Sequence, residues 1–358
     1  MKVTSQTTPL LSESLQTMQA QDPERLARLA DFYRGRRVLI TGGLGFIGST
    51  LAIALVDLGA RVTIVDSMIP GYGGNLFNIA PVRDRVTVNI SDVRDRSSMN
   101  YLVQGCECLF NLAGTLSHVD SMTDPFTDLE INCVSQLSIL EACRRHNPAL
   151  KIGFAGTRGQ YGRTGHGPVN EDAPMRPLDV NGINNVAGEA YHLLYHQVHG
   201  IRAFSLRLTN TFGPRHQMRH HRQGVLNWFL RQLIEGKPVR LYGTGLQIRD
   251  TNYVDDVVEA FLTAMADDRA DGQVFNVGGE PVSLLEFVEQ AICIHGSGTY
   301  ELVEYPANAK PIEIGDYVAD WSRIRNTLGW KPRVALADGI ARTLAYYRQH
   351  LHHYWDPS

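Results

Sequence analysis

Residues Arg37-Val-Leu-Ile-Thr-Gly-Gly-Leu-Gly-Phe-Ile-Gly-Ser-Thr50 have the pattern of a buried strand that turns through glycines into a helix. Residues 38–41 are a short, mostly apolar and β-branched run. Gly42, Gly45 and Gly48 follow at three-residue spacing, so the backbone can turn tightly and approach a pyrophosphate without interference from a Cβ atom. The helix that follows would present free N–H groups to those phosphates. The stretch therefore predicts a dinucleotide site.

A second strand, Ala60-Arg-Val-Thr-Ile-Val-Asp66, ends in an acid roughly 20 residues beyond the first glycine, where the residue that binds the adenosine ribose is expected. The Asp66 carboxylate would accept hydrogen bonds from ribose hydroxyls and repel a 2′-phosphate. The pair of strands therefore predicts NAD as the cofactor in preference to NADP. Glycine spacing alone would also fit a tight turn that binds nothing.

The composition is that of an ordinary globular protein: 358 residues, a formal net charge of −3 and 43% hydrophobic residues. No basic surface for nucleic acid is indicated, no apolar run is long enough to span a bilayer, and the N-terminus lacks a secretory pattern. We therefore expect a cytoplasmic protein. The five cysteines are expected to be buried free thiols, and no metal site is expected because Cys106 and Cys108 lack a second ligand pair at a zinc spacing.

Strand-like and helical patterns alternate from Arg37 onward, which is typical of a parallel sheet covered by helices on both faces. The fold class predicted is α/β, a Rossmann-type doubly wound sheet with a smaller C-terminal α/β substrate-binding region. Strands are predicted at residues 38–41, 62–66, 86–89, 108–112, 152–155 and 203–208, and long helices at 126–146 and 184–199. The expected division is an N-terminal extension (1–34, with a helix at 23–33), a mainly NAD-binding domain (35–210) and a mainly substrate-binding region (211–358) that partly returns to the first domain.

A series of motifs recurs along residues 36–346 in a fixed order: Thr41-Gly-Gly-Leu-Gly-Phe-Ile-Gly48, Asp92-Val-Arg-Asp95, Asn111-Leu-Ala113, Ser117-His-Val-Asp120, Leu206-Arg-Leu-Thr-Asn210, Gly213-Pro-Arg215, Arg249-Asp250, Tyr253-Val-Asp-Asp256 and Phe275-Asn-Val-Gly278. Together they resemble the extended short-chain dehydrogenase/reductases, specifically the NAD-dependent nucleotide-sugar epimerase/dehydratase family.

The resemblance implies a set of binding residues. Cofactor contacts are implied for the pyrophosphate (Gly42, Gly45, Phe46, Ile47 and Gly48), the ribose (Asp66), the adenine (Asp92 and Val93) and the rest of the cofactor (Leu112, Ala113 and Gly114), with Asn132 supporting the loops beneath. Substrate contacts are implied for Asn210 and Arg249, and expected for Arg215, Asp120 and Arg158. A planar guanidinium suits a diphosphate, although Arg249 could instead form a surface ion pair with Asp250.

The catalytic positions depart from the family pattern. Relatives use a Ser or Thr, a Tyr and a Lys; the Ser/Thr position here is Thr157, and the other two are Asn181 and Asn185. In the family, tyrosinate takes a proton from a sugar hydroxyl, and the ammonium group lowers the tyrosine pKa. A carboxamide does not titrate near neutrality, so Asn181 can position a hydroxyl without deprotonating it. Asn185 can hold a ribose but supplies no charge.

Another group must then act as the base if oxidation occurs. The candidates by motif position are Tyr161, His118 and Asp120; His118 has a suitable intrinsic pKa, and a structural role is the alternative for each. Arg158 could stabilise an alkoxide. Dehydratases carry acids at the positions of Arg158 and Gly159, so dehydration is disfavoured.

The segment Arg215-His-Gln-Met-Arg-His-His-Arg222 is either a cationic lip for a nucleotide diphosphate or a solvated, mobile loop. Metal binding by its adjacent histidines is disfavoured, because neighbouring residues rarely point the same way.

The sequence favours an NAD-dependent epimerase of a nucleoside-diphosphate sugar that works through a transient keto-sugar with an atypical base. Two alternatives stay open: a protein that binds NAD and a sugar nucleotide without turnover, and a dehydratase or decarboxylase of the same substrates. By analogy with relatives, a homodimer formed through the two long helices is expected.

Overall fold

The computed structural model describes residues 11–165, 167–306 and 310–356, and its centre is a parallel seven-stranded sheet. The strands of the described chain, seven of which form this sheet, are β1 (Arg37–Thr41), β2 (Arg61–Asp66), β3 (Val86–Ile90), β4 (Cys108–Asn111), β5 (Lys151–Thr157), β6 (Ala203–Leu208), β7 (Asn210–Phe212), β8 (Val239–Tyr242), β9 (Ile248–Tyr253), β10 (Val274–Val277), β11 (Glu280–Ser283) and β12 (Tyr300–Val303).

Helices cover both faces of this sheet. The helices of the described chain are α1 (Glu13–Gln21), α2 (Pro23–Tyr33), α3 (Phe46–Asp57), α4 (Arg96–Leu102), α5 (His118–Thr123), α6 (Pro125–Leu129), α7 (Ser135–His146), α8 (Val180–His199), α9 (Val225–Ile234), α10 (Val254–Met265), α11 (Leu284–His295), α12 (Ser322–Leu328) and α13 (Leu336–His350). Because the sheet is covered on both sides, strands such as β4 and β6 are buried along their whole length.

The strand order is β10-β6-β5-β4-β1-β2-β3, which confirms the predicted doubly wound sheet. The chain builds β1, β2 and β3 outward on one side and then crosses back to place β4 beside β1. Thr41 and Asn111, at the ends of these two neighbours, are register partners. Ligands of open sheets bind in the crevice at such a switch point, outside the carboxyl ends of the strands.

The predicted strands all form, most with ends within one or two residues, and β10 returns to the sheet beside β6 from the C-terminal part of the chain. The continuous helix predicted at residues 126–146 is wrong in one respect. A π-helical turn, Glu130–Val134, separates α6 from α7. Such turns concentrate at functional sites, and this one contains Asn132.

The N-terminal extension packs onto the main core. Leu15 and Met18 of α1 are buried there, and the Tyr33 hydroxyl of α2 donates to the carbonyl oxygen of Leu262 at 2.9 Å. Helix α2 spans the predicted residues 23–33, whereas α1 was not predicted, because its apolar face is short. The first ten residues of the polar tail lie outside the described residues.

The C-terminal half adds two small sheets, β11-β9-β7 and β12-β8, that pack with α9, α11 and α13 around a second apolar core. That core includes Phe212, Phe229 and Phe287. β7 brings Asn210 and Thr211 to the edge of the switch-point crevice. The cysteine prediction is correct for Cys108 and Cys143, which are buried, and wrong for Cys293, which is exposed.

Candidate active site

A single cavity of about 290 Å³ lies at the carboxyl ends of the central strands. One end is lined by the glycine turn after β1 and by Asp66 at the end of β2, and the other by Thr157 at the end of β5. Of the predicted residues it is lined by Gly42, Gly45, Phe46, Ile47, Gly48, Asp66, Asp92, Val93, Leu112, Ala113, Gly114, His118, Asn132, Thr157, Arg158, Asn181, Asn185 and Asn210.

The backbone packs so closely at the glycine turn that two of its positions admit no Cβ atom. Gly42 has a left-handed backbone (φ +68°), and a Cβ atom there would lie 2.9 Å from the Ala113 nitrogen. A Cβ atom on Gly48 would collide with the carbonyl oxygen of Gly42. The amide of Gly45 donates to that same oxygen at 3.1 Å and closes the turn. The bare backbone at the start of α3 fits a diphosphate.

Asp66 is held by backbone amides on both sides of it. Its Oδ2 accepts from the Leu44 amide at 3.0 Å and its Oδ1 from the Met68 amide at 2.9 Å. Burial raises the pKa of Asp66, and these two hydrogen bonds oppose the rise. The carboxylate thus bridges the glycine turn and the end of β2, a position that suits a ribose diol.

Asp92 also lines the cavity, but Arg94 occupies both of its carboxylate oxygens, the closer contact being 2.7 Å. The hydrogen bonds from Arg94 lower the pKa of Asp92 despite partial burial. The adenine contact of Asp92 and Val93 stays a prediction.

Asn132 fixes the segment that follows β4. Its Oδ1 accepts from the Thr115 amide at 3.0 Å, and its Nδ2 donates to the Thr115 hydroxyl at 2.6 Å. That hydroxyl in turn donates to the buried carboxylate of Asp128 at 2.6 Å. The π-helical turn therefore anchors the backbone that closes one side of the cavity.

Asn181 and Asn185 belong to this same network. The Asn181 Nδ2 donates to the Thr115 carbonyl oxygen at 2.7 Å and to Asp128 at 3.0 Å, so both amide hydrogens bind protein. Asn185 donates to the Asn181 carbonyl oxygen at 2.9 Å, and Asn184 donates to Asp128 at 2.8 Å. Asn181 is 3% exposed. The two carboxamides help to fix the cavity wall, and neither is a base that could deprotonate a sugar hydroxyl near neutral pH.

His118 and Thr157 lie on either side of Gly159. An ideal Cβ atom on Gly159 would be 3.1 Å from His118 Cε1 and 3.5 Å from Thr157 Oγ1. The imidazole therefore occupies the space into which a side chain at position 159 would project. The Thr157 hydroxyl accepts from the Gly159 amide at 3.1 Å, and its proton is left for a ligand.

Asp179 holds the imidazole from behind. Its Oδ2 is 2.7 Å from His118 Nδ1, while its Oδ1 accepts from the Gly182 amide at 2.7 Å and caps α8. Burial alone would raise the pKa of Asp179, but the hydrogen bonds from His118 and the Gly182 amide, together with nearby positive charge, outweigh burial and lower it. An ionised Asp179 fixes the proton on Nδ1, so Nε2 is the free acceptor of the ring.

Tyr161 does not lie in the cavity. It is 1% exposed, its hydroxyl donates to Asn276 Oδ1 at 2.7 Å, and Arg207 donates to that hydroxyl at 2.6 Å. Burial raises the pKa of Tyr161. Asp120 also falls outside the lining and forms an ion pair with Arg222 at 3.0 Å. Neither residue is placed to act as the base.

Arg249 and Arg215 are also outside the lining of the cavity. Arg249 pairs with Glu313 at 2.6 Å and donates to the Gly315 carbonyl oxygen at 2.8 Å. The alternative partner, Asp250, instead accepts backbone amides, including that of Gly279. Arg215 lines a separate cavity beside α1 and lies over the Tyr346 ring at 5.4 Å.

The segment 215–222 is bound to its surroundings. His220 Nε2 is 3.1 Å from the Gly71 carbonyl oxygen, and His216 lies edge-on to the Phe46 ring with centroids 4.8 Å apart. Burial lowers the pKa of His216 to about 4, so this lining residue is neutral at pH 7. These two histidines therefore pack against the rest of the fold, while the cationic lip and the mobile loop both stay predictions.

Asp179 and Asp128, which hold His118 and the carboxamides in place, are among the site residues that were not predicted. Asp179 precedes α8 and has the sequence signal of a helix cap, a role that it does fill. That signal does not indicate a contact with a histidine 61 positions earlier. Asp128 lies in a predicted helix, where its inward direction depends on the π-helical turn. Among the described residues, no cluster of His, Cys, Asp or Glu could hold a metal, and no helix is long and apolar enough to cross a membrane.

Comparisons with known proteins agree on one group. Residues 38–278 match the profile of the NAD dependent epimerase/dehydratase family. The chain is 32% identical to a UDP-glucose 4-epimerase of Mycolicibacterium smegmatis (87% of this chain, 98% of the relative) and 32% identical to a dTDP-glucose 4,6-dehydratase of Streptomyces griseus (89% and 96%). The crystal structure of a Thermus thermophilus UDP-glucose 4-epimerase in complex with NAD matches with a TM-score of 0.78 at 30% identity (87% and 99%).

The position of Asp66 predicts a cofactor preference. We expect the protein to bind NAD more tightly than NADP, because a 2′-phosphate would meet the negatively charged Asp66 carboxylate. Asp66→Asn should weaken NAD binding roughly tenfold, since a charged hydrogen-bond acceptor is lost. It should also reduce the ratio of NAD affinity to NADP affinity. Titration calorimetry with both cofactors measures this, with Asp31→Asn, an exposed acid on α2, as the matched control. Equal or tighter binding of NADP by the unmodified protein would contradict the assignment.

Proposed function

Because this chain belongs to the NAD dependent epimerase/dehydratase family, we propose that it inverts one carbon of a nucleoside-diphosphate sugar through a transient keto-sugar. One observation carries the proposal: a single cavity joins the glycine turn and Asp66 to Thr157 and His118. A dinucleotide and a sugar held in that cavity would therefore meet between its two ends.

The residues present fit the cofactor of the family. The bare glycine turn accommodates a diphosphate, and Asp66 accepts ribose hydroxyls. NAD, when bound there, accepts a hydride from a sugar carbon and returns it. Residues 112–114 follow β4, which lies between β1 and β5 in the sheet, and line the cavity between its two ends. Asn132 holds the chain just after them through Thr115.

His118 is the base in this proposal. It lines the cavity, its Nδ1 is bound by Asp179 and its Nε2 is the free acceptor, so it can take the proton of a sugar hydroxyl. Thr157 donates to the same hydroxyl oxygen and places it. Asp179 is a positioning residue, because it stabilises the imidazolium that forms without touching the substrate. When the keto-sugar is reduced on its other face, His118 returns the proton.

The positions of the acids that line the cavity favour epimerisation over dehydration. Elimination of water needs an acid beside the sugar, and the described lining residues supply carboxylates from Asp66 and Asp92 alone, both at the cofactor end. The sugar end presents Arg158 and the bare Gly159 instead.

Removing the proposed base tests the reaction. Incubation with a panel of UDP- and dTDP-sugars should convert at least one to an isomer of the same mass. His118→Gln should then lower kcat at least 100-fold with NAD affinity unchanged, because general base catalysis is lost. Asp179→Asn should lower kcat less and shift its pH profile. Chromatography and mass spectrometry of the products measure this.

The matched control is His199→Gln, an exposed histidine at the end of α8, which should leave kcat unchanged. If His118→Gln keeps activity within threefold of the unmodified protein, His118 is not the base.

A second candidate is a protein that binds NAD and a sugar nucleotide without turnover. The carboxamide network favours such a binding protein, because both amide hydrogens of Asn181 donate to other protein groups and Asn185 carries no charge. Thr157 and the His118–Asp179 pair favour the enzyme, which we rank first.

Restoring the family pair separates these two candidates. In an enzyme that relies on His118, Asn181→Tyr with Asn185→Lys should reduce the existing turnover at least tenfold, because the network around Asp128 is broken. In a binding protein, the same double variant should gain turnover from an inert parent. Kinetic assays with the sugar nucleotide that binds most tightly measure this, with exposed Asn326→Tyr as the control.

We also propose that the protein is a homodimer. Helix α8 presents an apolar stripe at three- and four-residue spacing, with Ile183 55%, Leu194 49% and Val198 60% exposed. Phe126 of the neighbouring α6 is 74% exposed. Such a patch is typical of an association surface.

A charge placed within this stripe should separate the subunits. By light scattering, we expect the unmodified protein to have twice the monomer mass. We expect Leu194→Glu to have the monomer mass, because burying a charge in the dimer interface is costly. Tyr101→Glu, at a 75% exposed apolar residue on α4, is the control. A monomeric unmodified protein would contradict the proposal.

A further inference from the structure

Arg158 brings a positive charge to the sugar end of the cavity without an acidic partner. Its Nε donates to Asn210 Oδ1 at 3.1 Å, and its guanidinium lies 5.8 Å above the Tyr317 ring. Within the described part of the chain, the two Nη atoms make no hydrogen bond and Arg158 forms no ion pair. Asn210 thus fixes one edge of the guanidinium and leaves the other edge for a ligand.

The acids near Arg158 are all engaged elsewhere. Glu313 pairs with Arg249 at 2.6 Å, Asp250 accepts the amides of Gly279 and Ala319, and Asp179 binds His118. Burial lowers the pKa of Arg158 to about 10, and the charge of Arg249 contributes, so the guanidinium is still protonated at pH 7. A partly buried cation without a contacting anion is costly, and binding an anion would remove that cost.

The position of Arg158 identifies which part of a substrate it faces. It directly follows Thr157, whose hydroxyl is placed to bind the reacting hydroxyl, and both residues line the same end of the cavity. A neutral hexose offers hydroxyl groups there, which need no cation. A hexose oxidised at its terminal carbon offers a carboxylate close to the ring carbons, and a guanidinium edge matches a carboxylate in a bidentate geometry.

We propose that Arg158 binds a sugar carboxylate, so that the substrate is a nucleoside-diphosphate hexuronate. The inference rests on the proposed function, since it concerns the sugar held at the same site. It assigns Asn210 a positioning role: Asn210 orients the guanidinium and does not itself bind the carboxylate.

A matched pair of ligands tests the inference by binding, independently of turnover. Calorimetry on the NAD-loaded protein compares UDP-glucuronate with UDP-glucose, and UDP alone serves as the third ligand. We expect the uronate to bind roughly 10- to 100-fold more tightly than the hexose, which is the effect of one charge-assisted pair. Arg158→Met should abolish that preference and leave UDP affinity unchanged, whereas Arg158→Lys should keep part of it.

Two controls separate a specific contact from loss of fold and from general charge. The melting temperature and NAD affinity of Arg158→Met should equal those of the unmodified protein. Arg222→Met, which removes an exposed cation outside the lining, should leave the preference unchanged.

Three results would overturn the inference, and they differ in what else they affect. If UDP-glucose binds as well as UDP-glucuronate, the carboxylate is not recognised and the proposed function stands. If Arg158→Met weakens UDP as much as both sugars, Arg158 binds the diphosphate. If no ligand of the three binds, nor their dTDP counterparts, the proposed function fails as well.

Discussion

The close approach of two backbones at the switch point between β1 and β4 determines this site. The Thr41 hydroxyl donates to Asn111 Oδ1 at 2.8 Å and accepts the amides of Leu112 and Ala113 at 3.1 Å. Because Thr41 is fully buried, these bonds set the distance between the glycine turn and the chain that follows β4. A Cβ atom on Gly42 would not fit across that distance. The cofactor end of the cavity is therefore joined to the sheet by buried hydrogen bonds.

The far end of the cavity is organised by one buried carboxylate. Asp128 accepts hydrogen bonds from the Asn181 and Asn184 side chains and from the Thr115 hydroxyl. His118 and Asp179 lie nearby and contact each other, although 61 positions separate them in the chain. The wall of the cavity therefore combines fixed carboxamides with one histidine–carboxylate pair.

The sequence predicts well what local pattern encodes and less well what depends on side-chain direction. The parallel sheet and the glycine turn follow from hydrophobic runs and glycine spacing, and both are found. Tyr161 and Arg249 lie within or beside the motifs that supply lining residues, yet pack against Arg207 and Glu313 outside the cavity. Two features depend on contacts between distant segments, which the periodicity of the sequence does not predict. They are the π-helical turn at Glu130–Val134 and the His118–Asp179 contact.

Gly159 and His118 are far apart in the chain, but the absence of a side chain at Gly159 makes room for the His118 ring. The His118 ring fills the volume beside the Gly159 Cα atom, so an acid at residue 159 and the present imidazole exclude each other unless the ring moves. Substitutions at these positions will therefore be epistatic. A side chain introduced at residue 159 would require the histidine to be replaced or its ring to be reoriented, so the two positions constrain each other's changes.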